Sequence, residues 1–149
     1  MTDRALSGIT RAELVTCGIR VHGREPTALL PSMTADDIRA AARAELCGYW
    51  AWAVRRPLIW LDPVIAELGL TSMARGRAGL ADGRLISKTE AIDGIHAPDW
   101  LRRHLAERRR GGRVTSPRVR TGVVAWRDAQ ATVAPGPPNA QGRAVVLSH

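Results

Sequence analysis

The chain has 149 residues, 45% of them hydrophobic, with 22 Lys and Arg against 14 Asp and Glu and a net charge of +8. That length holds one domain and an extension, and no apolar run approaches the roughly 18 residues that would span a membrane. With no Phe and one Tyr, any core must be filled by Trp, Leu, Ile, Val and Ala.

The charge is uneven. Residues 102–120 carry eight Arg against Glu107, a local +7, which leaves about +1 for everything else. Such a run is usually a solvated face or tail; its functional alternative is a phosphate-contacting surface for nucleic acid. No aromatic residue lies among the arginines of 108–120 to stack on bases, which weighs against nucleic acid as a partner. Among the basic residues only Lys88 is a lysine, and lysine supplies a compact, mobile point charge that arginine does not. Cys17 and Cys47 have no metal-type spacing and read as reduced thiols in a cytoplasm. Met1-Thr2-Asp3-Arg4 lacks the charged-then-apolar pattern of a signal peptide.

In chain order, Thr10-Arg11-Ala12-Glu13 has the form of a capping box and predicts a short helix through Leu14 and Cys17, closing at Gly18. Ile19-Arg20-Val21-His22 alternates apolar and polar and predicts one short strand. Gly23, Pro26 and Pro31 mark the loop that follows. Thr34 caps the next helix, with Asp36 and Asp37 in its first turn. Ile38, Ala41, Ala42 and Leu46 give it an apolar stripe. Gly48 to Val54 is expected to continue as helix or as a bent extension, until Arg55-Arg56-Pro57 interrupts.

Asp62-Pro63 is a helix start, an N-cap acid followed by proline. A long apolar helix should run from there to Asp82-Gly83, with Gly69, Gly76 and Gly79 permitting close packing or breaking it. Ser87 and Glu90 form a second capping box, opening a helix that fades near Ile95. Pro98-Asp99-Trp100 starts another, basic in its last turn at Arg108, Arg109 and Arg110 and closed by Gly111-Gly112. Beyond Arg113 the periodicity is lost, and residues 113–149 read as a mostly disordered tail rich in Arg, Pro and Gly. The expected fold is therefore mainly α, a bundle of about four to five helices with one short strand. Residues 1–33 would form an N-terminal remnant and loop, and residues 34–112 the helical domain.

The helix start at Ser87 offers free N–H groups, a positive dipole end and Lys88, a possible anion site; capping boxes are common, and most hold no ligand. No glycine-rich phosphate loop is present, and His22, His96, His104 and His149 are scattered. Asp36-Asp37 fits a helix start better than a metal site, and no spaced pair of metal-binding carboxylates is found.

Leu70-Thr71-Ser72-Met73-Ala74-Arg75 followed by Leu80-Ala81-Asp82-Gly83-Arg84-Leu85-Ile86-Ser87-Lys88-Thr89-Glu90-Ala91 resembles the C-terminal helical domain of the aminoglycoside (streptomycin/spectinomycin) adenylyltransferase family. The likeness extends over residues of about 10–107. Thr16 to Gly23 resembles the strand leading out of that family's catalytic domain, and Thr34 to Trp50 the first helix of its helical domain. The resemblance implies ATP and Mg²⁺ as cofactors and an aminoglycoside as substrate. It implies that Lys88, Ser87 and Arg75 lie at the nucleotide. Asp62 and Glu67 are the acids nearest to the family's antibiotic-binding positions, though not in clear register. The family's N-terminal nucleotidyltransferase domain, with its metal-binding carboxylates, has no counterpart here. The chain is thus expected to be a substrate-closing domain, truncated or dependent on a separate catalytic chain and inactive alone. The alternative is a non-enzymatic module that uses Arg102–Arg120 on nucleic acid or an acidic partner.

Overall fold

The structure, a computed structural model, describes residues 8–17 and 32–134. The expected strand at Ile19–His22 lies outside them. Within them every regular element is helical: α1 (Gly8–Cys17), α2 (Ala35–Glu45), a π-helical turn (Leu46–Trp50), α3 (Ala51–Val54), a 3-10 turn (Pro57–Leu61), α4 (Pro63–Asp82), α5 (Lys88–Asp93), α6 (Asp99–Arg109) and α7 (Arg118–Val133). Among the described residues no helix is long and apolar enough to cross a membrane.

Most boundaries follow from local chemistry. Thr34 accepts from the Asp37 amide while Asp37 accepts from the Thr34 amide, a capping box that fixes the start of α2. A π-helical turn then carries the chain on into α3 with helical dihedrals at both junctions, so Gly48 to Val54 continues the helix, one of the two expected courses. Asp62 accepts from the Val64 amide, with Pro63 opening α4, and Gly83 ends that helix at φ 61°. Helix α1 starts earlier than expected. Thr10 and Glu13 lie inside it, and Glu13 pairs with Arg75 of α4 instead of turning back on its own helix.

Helix α4 is central. It packs against α7, α2 and α5, while α1 leans on α2 and α6 on α5. Trp50, Trp60, Leu70, Met73 and Leu101 are the largest fully buried side chains. Two indoles also close the end of α3. Trp60 Nε1 donates to Ala53 O at 3.1 Å, which also accepts from the Arg56 amide, and Trp126 Nε1 donates to Val54 O at 2.9 Å, so each indole adds a donor to a carbonyl at the end of this four-residue helix. Gly69 of α4 packs against the Trp60 ring. From the other side, a Cβ on Gly122 of α7 would lie 2.5 Å from Trp60 O.

Helix α7 corrects the expected tail. Residues 118–133 form a 16-residue helix, and its Ala125 and Ala129 join the core built by α4, α5 and α6. Its buried side is Thr121, Gly122, Ala125, Asp128 and Ala129, while Val119 and Val123 face outward. A core stripe of small and polar residues carries no apolar periodicity, so the usual signal of a helix is missing. Asp128, its side chain fully buried, bonds Arg77 of α4 at 2.7 Å and has His96 Nδ1 3.2 Å away. Arg77 also donates to Gly94 O and Thr132 Oγ1. One guanidinium thus fastens α4, the turn after α5, and α7.

Candidate functional site

The Ser87–Glu90 box forms as its spacing predicts. Ser87 Oγ accepts from the Glu90 amide at 3.1 Å, and Glu90 accepts from the Ser87 amide at 2.7 Å. The Ser87 amide, then the Ser87 hydroxyl, hold the Glu90 carboxyl below the usual carboxylate range. The helix it opens has only six residues, and the carboxylate of Glu90 already sits on its positive end. Any anion site here therefore rests on the side chain of Lys88 and not on the helix end.

Lys88 is exposed and makes no hydrogen bond or ion pair among the described residues. It stands where three clefts meet. One, of about 1050 Å³, opens between α1, α2 and α4. A second, of about 480 Å³, lies between Thr10, Arg75, Ser87, Lys88 and Arg109. A third, of about 240 Å³, runs to Glu67, Thr71 and Arg108.

Arg75 is beside Lys88 in the first two clefts, as expected, but much of its fork is engaged. Its Nε donates to Ile86 O at 3.0 Å and its Nη2 pairs with Glu13 at 2.6 Å, leaving the side chain 12% exposed. It fixes the turn that carries Ser87 and Lys88 against α4 and α1. Glu67 joins the third cleft, held by Arg108 at 2.6 Å. Its burial pushes its carboxyl above the usual range, and the Arg108 charge offsets that only in part. Asp62 is not brought to the site. It caps α4 and borders none of the three clefts.

Arg109 is the site residue that sequence reasoning missed. It lines two of the clefts with Lys88 and has no ion pair among the described residues. In the sequence it looks like one more cation complementing the C-terminal end of a helix, and no local signal places it opposite Lys88, 21 positions earlier.

The carboxylates around these clefts do not fit a Mg²⁺ ion. Glu13 and Glu67 are bound to arginines, Asp37 and Glu90 to capping amides, and Glu45 to Trp50 Nε1. Among the described residues no group of three or more His, Cys, Asp or Glu could hold a metal. What Lys88 and Arg109 offer is two cations, without ion pairs among the described residues, lining the same two open clefts, an arrangement suited to holding an oxyanion. No protein-family model matches the chain, and no curated protein and no solved structure is significantly similar to it.

Proposed function

We propose that this chain is a nucleotide-holding, substrate-closing helical domain of the aminoglycoside adenylyltransferase type, working with a separate nucleotidyltransferase domain. The observation that carries the reading is Lys88, the one lysine of the chain, standing without a counter-ion in a cleft of about 480 Å³ opposite Arg109 and beside Arg75. Lys88 and Arg109 neutralise the triphosphate of ATP, and Arg75 with Ser87 keeps the Lys88 backbone in place. Charge neutralisation of this kind assists phosphoryl and nucleotidyl transfer by stabilising the departing phosphates. Metal ligation and activation of the antibiotic hydroxyl belong to the partner domain. The cytoplasm, which holds both ATP and reduced thiols, is the matching compartment.

Calorimetric titration with ATP tests the reading. The intact chain should bind at micromolar to millimolar concentration, and Lys88→Ala should weaken binding about tenfold, the loss of one charge-assisted phosphate contact. Absence of binding at several millimolar ATP, or equal binding by the variant, would sink it. Incubation with ATP, Mg²⁺ and streptomycin or spectinomycin should yield no adenylylated drug from this chain alone. Robust product would mean that it contains a complete active site.

A further inference from the structure

We infer that a second surface, built by α6, the connection after it and the first turn of α7, is a sequence-independent docking face for a nucleic-acid backbone. The inference does not rest on the cleft at Lys88.

The eight arginines of residues 102–120 do different things. Arg102 and Arg110 pair with the exposed acids Asp99 and Glu107. Arg108 is spent on Glu67 and the Ser116 hydroxyl, and Arg118 on Leu61 O. Arg109 faces the Lys88 cleft. Arg103, Arg113 and Arg120 remain, all exposed and without a carboxylate partner among the described residues.

The fold brings Arg103 and Arg120 beside Trp100, with Arg113 in the segment that connects their helices. Arg103 is three positions beyond Trp100, so the two are neighbours on α6. The chain then runs back along α6, placing the Ser116 hydroxyl 3.2 Å from His104 Nδ1 and 3.0 Å from the Arg108 guanidinium. That return sets the Arg120 guanidinium over the Trp100 ring, 5.2 Å from its centroid. Arg113 lies in the returning segment, with the exposed Thr115 beside Ser116.

Two features point to phosphates carrying bases. Arginines interspersed with hydroxyls are the usual donors to backbone phosphate oxygens. The Trp100–Arg120 pair supplies a flat, cationic stacking platform that the arginine run lacks in sequence and that an acidic peptide would not use. The start of α7 also has no acidic residue and no side-chain cap, yet carries Arg118 and Arg120. Cations at that end of a helix are unfavourable alone and become favourable once an external anion lies against them.

The test is fluorescence anisotropy of the full chain with a labelled single-stranded DNA of about 20 nucleotides. Binding should be micromolar at about 50 mM KCl and weaken about 20-fold by about 200 mM, the dependence expected for three phosphate contacts on a single strand. Replacing Arg103, Arg113 and Arg120 together by Ala should reduce affinity at least tenfold. A charge-matched control replacing Arg39, Arg43 and Arg84, which lie on α2 and after α4, should change it less than twofold. Circular dichroism spectra that match the unmodified chain establish that both variants are folded. No binding at about 100 µM protein, equal losses in both variants, or equally tight binding of polyglutamate would each overturn the assignment.

Discussion

At the scale of single residues, three carboxylates respond to pH with opposite signs. Asp37 and Glu90 are held below their ordinary values of 3.8 and 4.5 chiefly by the backbone amides they cap. Their contribution to stability is present above those ordinary values and is lost as pH falls through the lower values of the folded state. Glu67 runs the other way: burial raises it above 4.5, outweighing Arg108. Its protonated form is favoured in the folded state, so its contribution is present below 4.5 and declines as pH rises through the carboxylate range. Urea midpoints measured from pH 3 to 7 should show a flatter acid limb for Glu90→Gln and for Asp37→Asn. For Glu67→Gln the decline with rising pH should vanish, and a larger loss at pH 7 than at pH 4 would contradict this account. Ser87→Ala should cost about 1 kcal/mol as a lost N-cap. The Ser87–Glu90 box and the Thr34 cap were legible in the sequence because donor and acceptor lie three residues apart, whereas the box expected at Thr10–Glu13 gave way to the Glu13–Arg75 pair. The Glu67–Arg108 pair was not, because 41 positions separate its partners.

At the scale of elements, α4 and α7 represent the two extremes. Helix α4 announces itself through Asp62-Pro63, a run of apolar residues, and Gly83. Helix α7 has a proline N-cap without a side-chain bond, an interior glycine, and Val119 and Val123 on its exposed side, which blurs the apolar stripe. What makes it a helix is the surface it meets. Gly122 lets its backbone approach Trp60 O, and Trp126 answers the free carbonyl of Val54. Gly122→Ala should therefore destabilise the fold by about 1–3 kcal/mol, the range for overpacking a close contact, read as a lower denaturant midpoint. An unchanged midpoint would mean that α7 does not lie this close. Helix α6 is the intermediate case. Its ends were readable, but its two sides serve different sites: Arg109 faces Lys88, and Trp100 with Arg103 faces the basic surface.

At the scale of the molecule, the buried charge of Asp128 ties the chain together. Removing its arginine with Arg77→Ala leaves the buried carboxylate with His96 Nδ1 3.2 Å away and should cost about 3 kcal/mol, the low end for breaking a buried ion pair. The double variant Arg77→Ala/Asp128→Ala should recover part of that loss, because the desolvated charge goes too. If the double variant were as unstable as the sum of both single variants, the pair would not be coupled. A chain ending at Gly112 would lose α7 and expose Trp60, Ala53 and Leu70 along the uncovered sides of the 3-10 turn, α3 and α4. It should show a broad, non-cooperative thermal transition.

The sequence by itself determined the helical class, the start of α2, the ends of α4, α5 and α6, and the geometry of the Ser87 cap. Each of these depends on residues within a few positions of one another, where propensity and hydrogen-bond reach act directly. Only the tertiary structure decided that residues 118–133 belong to the core, that Arg75 serves Glu13 and Ile86 O, that Asp62 stays away from Lys88, and that Arg109 approaches it. Those outcomes depend on which surfaces meet, on indole and guanidinium groups finding carbonyls up to 72 positions away, and on burial, which no local spacing encodes.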